Sequence, residues 1–472
     1  MRKITTNPSK KQVQLELFQF SGLKKPVEVS FTAPNLSSFG GLTLLKSVNE
    51  HQGFIHRLSK HVIEWRNEHL LVHSIEEMMT QRVFQIAAGY EDADDCDALR
   101  NDSMLKMCSG RLPGEVALSS QPTMTRFENH VSHRELYDMG REFVHQFIRS
   151  YKKAPVKIIL DFDDSNSNTY GAQQLTFFND YYGEYCYMPL FIFEAYSGKL
   201  VLPLLRPGRV NKRLNVSGLM KRVITEIRRF WKDTIIVVRG DSMFCSHEFM
   251  EWSKTQHHVQ FITGLTGNKV LSEKSEPWVS RARDDFRRDG KPVKRYYRHM
   301  YRAGSWNEPQ WVITKVEYNS MGYNVRHVVT SMGCKDTRYL YEHWYCNRGN
   351  CELYIKELKN GLSADRMSCG RFSANQFRLF MHAAAYVLLL EAKQILFRKT
   401  NLANVTIATF REKVILSAVR ITEQKTKVKV TMFALANALT KSGKALWRFR
   451  TSSRKANHCG VFHSFLSKKL VR

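Results

Sequence analysis

Two apolar segments that run into aspartates constrain the fold of this chain more than any other feature. Segment 155–164 is rich in β-branched residues and contains Asp161 and Asp163 near its end, while segment 234–238 is followed by an arginine, a glycine and Asp241. Buried strands of this kind form α/β sheets, and such sheets present their chemistry at the carboxyl ends of the strands. Because alternate residues of a strand share a face, Asp161 and Asp163 are both candidates for that edge.

The pattern of strands and helices around these segments divides the chain into five regions. It predicts a mixed α/β sheet with a hairpin-containing first half, interrupted by a mostly β segment and flanked by helices. The regions are a helical N-terminal part (1–133), the first part of the sheet (134–257), a β-rich insertion (258–336), a helical second part (337–420) and a basic tail (421–472). In the first region, Ser74 and Glu77 form a capping-box pattern, and a second helical stretch near 98–107 follows an acidic turn.

The charge of the chain indicates the kind of partner. Lys and Arg number 72 against 44 Asp and Glu, a formal net charge of +28. Such an excess favours a polyanion, either nucleic acid or an anionic membrane surface. Basic residues cluster in segments 209–232, 281–302 and 421–472. Each run alone is typical of a solvated helix face, but three runs together favour nucleic acid.

The sequence does not favour a membrane-spanning or exported protein. The most apolar run, 383–390, is shorter than the roughly 20 residues that a spanning helix needs. The N-terminus shows no apolar signal-peptide core, and the nine cysteines include no Cys-x-x-Cys pair. Scattered thiols are typical of a reducing compartment. We therefore expect an intracellular protein without a membrane partner.

A third acidic candidate lies on the helix predicted over 339–359. At 100° per residue, Tyr345, Arg348, Glu352 and Lys359 fall within about 60° of one another and form one polar stripe. Two strand-borne carboxylates and one on a helix suit a pair of Mg²⁺ ions, with the cations beside the glutamate, including Lys356, holding phosphate. Alternatively, the aspartates cap turns, and Glu352 pairs with Arg348 or Lys356.

The spacing of the residues in this stripe also resembles that of a known protein family. Its spacing, Tyr345-x2-Arg348-x3-Glu352-x6-Lys359, resembles the Tyr-Arg-Glu-Lys signature of bacterial insertion-sequence transposases of the DDE type. Asp163, followed by Asp164 and Ser165, and Asp241 occupy the positions of the two aspartates of that family. Segments 120–129, 181–193 and 374–379 are similar to stretches of one subgroup, so the resemblance covers most of residues 75 to 420.

The resemblance implies a ribonuclease H-like catalytic core that is split by the β-rich insertion, with DNA-binding helices in region 1–133. It implies that Asp163, Asp241 and Glu352 are the catalytic metal ligands, for two Mg²⁺ ions that Mn²⁺ can replace. It further implies that Tyr345, Arg348 and Lys359 contact the phosphates of the transposon end. Asp163 is the preferred first ligand, and Asp161 stays the alternative.

The expected function is that of a Mg²⁺-dependent DNA transposase. Such an enzyme binds the terminal inverted repeats of its element, hydrolyses the DNA and joins the 3′-hydroxyl ends to target DNA. Two alternatives are a catalytically silent, transposase-derived DNA-binding protein and a nuclease without strand transfer. The resemblance also implies a homodimer on double-stranded DNA, in the cytoplasm of a bacterium and associated with the nucleoid.

Overall fold

The computed structural model describes residues 35–209, 216–333 and 335–432, together with the backbone of two short strands before them. The strands are β1 (Leu17–Phe18), β2 (Val27–Glu28), β3 (Leu36–Ser37), β4 (Lys157–Asp164), β5 (Ser167–Asn168), β6 (Phe177–Asn179), β7 (Glu184–Tyr187), β8 (Leu190–Glu194), β9 (Leu200–Leu204), β10 (Ile235–Gly240), β11 (Val259–Leu265), β12 (Val293–Tyr301), β13 (Gln310–Asn319), β14 (Gly322–Thr330), β15 (Val419–Gln424) and β16 (Lys427–Met432).

Helices precede, separate and follow these strands. The α-helices are α1 (Leu42–Gln52), α2 (Phe54–Ser59), α3 (Ile75–Ala88), α4 (Asp95–Leu99), α5 (Ser103–Cys108), α6 (Gln121–His130), α7 (His133–Arg149), α8 (Val216–Arg228), α9 (His247–Lys254), α10 (Lys269–Asp289), α11 (Thr337–Tyr339), α12 (Gly349–Leu362), α13 (Phe372–Leu396) and α14 (Ile407–Phe410). Short 3₁₀ or π segments are Glu68–Leu70, Ser242–Phe244, Leu340–Tyr345, Cys346–Arg348, Asn401–Ala403 and Arg411–Ile415.

The central sheet is built around β4, the strand that carries the first aspartates. Its order is β12-β13-β14-β11-β10-β4-β8-β9. β4, β10 and β11 are parallel, whereas β8 is antiparallel to β4. Residues 158 to 163 of β4 are all buried, as in a strand that is covered on both faces. This is the mixed α/β sheet that the sequence pattern predicted.

The predicted β-rich insertion extends the same sheet. β12, β13 and β14 are antiparallel neighbours, and β14 pairs with β11. The sequence pattern had assigned β11 to the insertion, but β11 is parallel to β10 and belongs to the core sheet. The pattern also missed α10, a charged 21-residue helix that contains Pro277. Its narrow buried stripe is Leu271, Ser275, Val279 and Ala282.

Helix α13 is the centre of the helical layer. It has 25 residues and is long and apolar enough, by length and composition alone, to cross a membrane, although 78% of its apolar window is buried in the protein. Helices α1, α3, α6 and α7 pack against it. Arg82 of α3 is paired with Glu128 of α6 at 2.7 Å, and Arg378 of α13 with Asp92 at 2.9 Å. The N-terminal helices therefore share one hydrophobic core with the sheet.

The N-terminal helix pattern is confirmed in part. Ser74 caps α3 by accepting the amide N–H of Glu77 at 3.1 Å. The Glu77 carboxylate does not complete the box, because it accepts from the Arg111 guanidinium instead. The stretch predicted as one helix over 98–107 is divided into α4 and α5, since Asp102 caps the second of them.

The C-terminal part differs from the predicted helix and basic tail. α14 and the π-helix Arg411–Ile415 are followed by the hairpin of β15 and β16, and β15 also pairs with β3. The tail predicted from residue 421 therefore begins as two strands. Its remainder, 433–472, lies outside the described residues, as does segment 210–215 of another basic run.

Candidate active site

Asp161 is engaged in the interior of the protein. It has no exposed surface and pairs with Arg239, its neighbour in register on β10. The guanidinium donates to both carboxylate oxygens, at 2.7 Å from Nη2 to Oδ2. Two further N–H groups of this guanidinium donate to the carbonyls of Trp344 at 2.8 Å and Asn347 at 3.1 Å. Burial raises the pKa of Asp161 to about 6, against the lowering effect of Arg239. The pair thus fixes the segment that carries Tyr345.

Asp163 has weaker partners than either neighbouring aspartate. Asp164 accepts from Arg206 at 2.6 Å. Asp163 accepts the N–H of Asp164 at 3.1 Å, and the Arg348 guanidinium lies 3.4 Å from its carboxylate. Burial raises the pKa of Asp163 to about 7; Arg348 opposes this rise, and the negative charge of Asp241 adds to it. Asp163 is therefore a buried carboxylate that is paired with Arg348 more loosely than Asp161 is with Arg239 or Asp164 with Arg206.

Asp241 lies beside Asp163 at the same edge of the sheet. Gly240 of β10 is in register with Phe162 of β4, so the two aspartates are the next residues of adjacent parallel strands. Asp241 also caps the turn that follows, because its Oδ1 accepts the N–H of Met243 at 2.8 Å. Burial raises the pKa of Asp241 as well. Asp241 therefore has both roles that the sequence offered as alternatives: it caps a turn, and it lies at the end of a strand.

Glu352 is brought to this edge by a helical segment of irregular pitch. The region predicted as one helix over 339–359 consists of α11, a π-helix, a 3₁₀ turn and α12, and π-helical turns occur often at functional sites. Glu352 lies in the first turn of α12 with a side chain that is 64% exposed. Arg348 lies 3.6 Å from the Glu352 carboxylate and also contacts Asp163. Arg348 is thus the cation between two of the predicted ligands.

Tyr345 packs against a glycine that lets it approach Asp241. A Cβ on Gly264 of β11 would lie 2.9 Å from the Tyr345 hydroxyl oxygen, 2.8 Å from the amide nitrogen of Ser242 and 3.1 Å from the carbonyl carbon of Asp241. Real Cβ atoms do not come so close, so this position requires glycine. Burial raises the pKa of Tyr345.

Lys359 of the predicted stripe and the neighbouring Lys356 have different surroundings. Lys359 donates to the carbonyl of Asn166 at 2.8 Å and to the hydroxyl of Ser165 at 3.2 Å, next to the end of β4. Its ammonium lies 3.8 Å from Asp365. Lys356 is exposed on α12. Lys359 is therefore hydrogen-bonded to the segment after β4, while Lys356 is exposed to solvent.

The site is suited to a hard divalent cation without being a closed metal site. Among the described residues, no group of three or more His, Cys, Asp and Glu side chains could hold a metal ion. Asp163 and Asp241 nevertheless present carboxylates from adjacent strand ends, and their raised pKa values show a burial cost that a bound dication would offset. Oxygen donors of this kind fit Mg²⁺. Glu352 can join them only by turning away from Arg348.

The family described as "Transposase DDE domain group 1" matches residues 20–448, and the chain belongs to that family. The chain is similar to a solved structure described as "Cryo-EM structure of piggyBac transposase synaptic complex with hairpin DNA (SNHP)", with 10% identity, a TM-score of 0.42, and coverage of 80% of this chain and 79% of that one. A comparison with curated protein sequences finds no match.

Three residues that shape the site were not singled out from the sequence. They are Arg206, Arg239 and Gly264. A cation within an otherwise apolar strand, as in Val237-Val238-Arg239, indicates a buried acidic partner, because an unpaired charge does not stay buried. That rule would have predicted a buried carboxylate partner for Arg239, although only the strand register shows that the partner is Asp161. Arg206 and Gly264 carry no comparable local signal, since their roles depend on contacts across the sheet.

Proposed function

We propose that this protein is a DNA transposase that binds the terminal inverted repeats of an insertion sequence, cleaves the DNA and joins the 3′-hydroxyl ends to target DNA. The observation that carries the proposal is the placement of Asp163 and Asp241 at adjacent ends of parallel strands, facing the cationic helical segment 345–359. The net charge of +28 supports a polyanionic substrate.

We infer that Asp163, Asp241 and Glu352 would hold two Mg²⁺ ions, which Mn²⁺ can replace. Such ions supply positive charge at the scissile phosphate, for both the attacking and the leaving oxygen. Glu352 completes this set once Arg348 is drawn from the carboxylates toward a DNA phosphate, for which a guanidinium is well suited. The Asp161–Arg239 pair holds the backbone of this segment while the Arg348 side chain moves.

Both proposed steps are in-line displacements at phosphorus. In cleavage, a water oxygen forms a bond to phosphorus, the bond from phosphorus to the 3′-oxygen breaks, and the water gives up a proton, leaving a 3′-hydroxyl and a 5′-phosphate. In joining, that 3′-oxygen attacks a target phosphodiester and displaces the target's own 3′-oxygen. One bond forms and one breaks in each step, so joining needs no external energy source.

The remaining stripe residues, together with the neighbouring Lys356, are proposed to position the DNA. Tyr345, Arg348 and Lys359 would contact the phosphates beside the cut, and Lys356, which is exposed, would contact the backbone further away. Two element ends must be held together, so we propose a homodimer on double-stranded DNA. We also propose that the N-terminal helices bind the repeats, and that the protein acts on nucleoid DNA in the bacterial cytoplasm without a membrane partner.

The test uses the DNA that flanks the gene, where inverted repeats bounded by a short target duplication are expected. Asp163→Asn, Asp241→Asn and Glu352→Gln should each lower cleavage and joining about a thousandfold or more, because a lost ligand removes several kcal/mol of charge stabilisation in the transition state. DNA affinity should be retained. Asp289→Asn, which changes an exposed carboxylate at the end of α10, is the matched control.

The outcomes distinguish the three functions. Cleavage and joining by the wild type, with loss in all three variants, supports the transposase. Cleavage without joining would identify a nuclease, and binding without cleavage a silent DNA-binding protein. If the three variants cleave DNA as fast as the wild type, these carboxylates are not the catalytic residues.

A further inference from the structure

Asp164 is a further carboxylate at the edge of the sheet that carries Asp163 and Asp241. It is the last residue of β4, directly after Asp163, and its side chain is 13% exposed. Burial raises the pKa of Asp163 and of Asp241, and the negative charge of Asp164 adds to both rises. The three carboxylates therefore lie close enough to interact.

Asp164 differs from the other two aspartates because Arg206 holds it. The guanidinium Nη2 donates to Asp164 Oδ2 at 2.6 Å, and Nε donates to the carbonyl of Met188 at 2.9 Å. The carbonyl of Arg206 in turn accepts the N–H of Met188 at 3.0 Å. Arg206 is only 6% exposed. Its side chain and its backbone are thus both anchored to the segment between β7 and β8, and Asp164 is held against them.

Arg348, another cation at this edge, is held less closely. Its nitrogens lie 3.4 Å from the Asp163 carboxylate and 3.6 Å from that of Glu352, beyond the length of a charge-assisted hydrogen bond. Its side chain is 21% exposed, against 8% for Arg206. A DNA phosphate can therefore draw Arg348 away, whereas Arg206 stays paired with Asp164 when DNA binds.

The number of free carboxylates at this edge decides which ions fit it. Mg²⁺ keeps several waters in a strict octahedral shell and takes few carboxylates, whereas Ca²⁺ accepts about six to eight oxygens at longer distances. Asp163, Asp241 and Glu352, with the scissile phosphodiester, would carry four negative charges, which two divalent ions balance. A fourth free carboxylate would add negative charge and ligand oxygens, and so would favour the larger ion.

Two other roles for Arg206 fit its contacts less well. Binding to DNA would need an accessible guanidinium, and this one is buried and bonded within the protein. A purely structural link would need only a neutral donor, because the backbones are already joined through Met188 and by the N–H of Ser165, which donates to the carbonyl of Pro189 at 3.0 Å. A buried cation is needed only to hold the carboxylate of Asp164.

We propose that Arg206 determines the metal specificity of this site. By holding Asp164, it leaves Asp163, Asp241 and Glu352 as the carboxylates that reach the ions, and the site favours Mg²⁺ over Ca²⁺. Arg206 is a positioning residue, because it acts through Asp164 and contacts neither the ions nor the DNA. The inference rests on the proposed function, since it takes the edge carboxylates as ligands of catalytic metal ions.

The experiment measures the displacement of Mn²⁺ from the protein–DNA complex by Ca²⁺ and by Mg²⁺, followed by the EPR signal of the free Mn²⁺. The DNA is a duplex of the inverted repeat in which a methylene group replaces the bridging 3′-oxygen at the cut, so that the phosphorus keeps its charge and cleavage is prevented. In Arg206→Gln, Ca²⁺ should displace Mn²⁺ at about tenfold lower concentration, while the concentration of Mg²⁺ needed should change by less than about threefold.

Removing the Asp164 carboxylate separates the proposed role from a structural one. The double variant Arg206→Gln/Asp164→Asn should return the Ca²⁺ concentration to the wild-type value. Asp164→Asn alone should bind as many Mn²⁺ ions as wild type, and it keeps the test decisive if Arg206→Gln does not fold. Arg66→Gln is the matched control and should change nothing, since Arg66 also donates to a carboxylate, Glu64, at 2.6 Å and to a carbonyl, that of His73, at 2.8 Å.

Three results would overturn the inference. They are an unchanged Ca²⁺ displacement in Arg206→Gln, a Ca²⁺ shift that persists in the double variant, and the loss of a bound Mn²⁺ ion from Asp164→Asn, which would make Asp164 a ligand. Each of them leaves the transposase proposal intact, because the wild-type complex still binds Mn²⁺. If the wild-type complex binds no Mn²⁺, the proposed metal-dependent function is overturned together with the inference.

Discussion

Carboxylates in the interior of the molecule are closely paired with cations, whereas Asp163, at the carboxyl edge of the central sheet, is not. In the interior, Asp161 receives two hydrogen bonds from Arg239, and Glu128 is paired with Arg82 at 2.7 Å. At the edge, Asp163 has one backbone donor and a guanidinium at 3.4 Å. These interior carboxylates are closely paired within the chain, whereas Asp163 is paired only loosely and can accept an external cation.

The difference follows from the cost of burying charge. An ion pair within a packed core needs short bonds and filled lone pairs, because each unpaired ion costs several kcal/mol. The strand ends can keep an incompletely paired carboxylate, since the proposed metal ions and DNA would approach the protein there. Two aspartates that share a strand and a face are therefore separated by their partners, and Asp163 is the one that remains available.

The largest expected effect on stability comes from Asp161→Asn. The substitution leaves the buried Arg239 cation without a counter-charge, so we expect a loss of about 3–5 kcal/mol in the free energy of unfolding. Urea unfolding at neutral pH measures it. Asp163→Asn, which removes a carboxylate that burial disfavours, should not destabilise the protein. Equal stabilities for the two variants would contradict the division between interior and edge.

A smaller effect is expected from Gly264→Ala. The added Cβ would press on Tyr345 and on the backbone of Asp241 and Ser242, and displacing these groups by a fraction of an ångström should lower the cleavage rate about a hundredfold. Gly267→Ala is the matched control, because its Cβ would meet only His327, at an ordinary 3.8 Å. Similar cleavage rates in the two variants would show that the packing under the edge does not hold Asp241.

The smallest of the three effects is a pH dependence of stability. Because the pKa of Asp163 is raised to about 7, the folded protein holds more protons than the unfolded chain between about pH 4 and 7. The contribution of Asp163 is therefore lost as the pH rises, and wild type should lose roughly 1–3 kcal/mol relative to Asp163→Asn between pH 5 and 8 in EDTA. Parallel profiles in urea unfolding would contradict the raised pKa of Asp163 and, with it, the loose pairing of this buried carboxylate.

The sheet and its acidic edge could be predicted because they depend on local patterns. Two apolar strands end at Asp163 and Asp241. Because the strands are parallel neighbours, these two residues lie at the same edge of the sheet. The glutamate stripe was predictable from spacing alone, even though the helix proved to contain π and 3₁₀ turns. Arg348 still contacts both Asp163 and Glu352, and Lys359 still contacts the segment after β4.

The parts that were missed depend on contacts distant in sequence. β11 has the same strand pattern in a core sheet as in an insertion, so pairing alone decides its place. α10 is highly charged and contains Pro277, which hid its narrow buried stripe. The choice between Asp161 and Asp163 depends on Arg239, whose partner is set by strand register.

The most direct test of the central claim is the binding of Mn²⁺ to the protein–DNA complex, followed by the EPR signal of the free ion. The account predicts that wild type and Asp289→Asn bind Mn²⁺ alike, while Asp163→Asn and Asp241→Asn each lose at least one bound ion or bind at least about tenfold more weakly. Unchanged Mn²⁺ binding in both variants would contradict the claim that these strand-end carboxylates are kept for a metal ion.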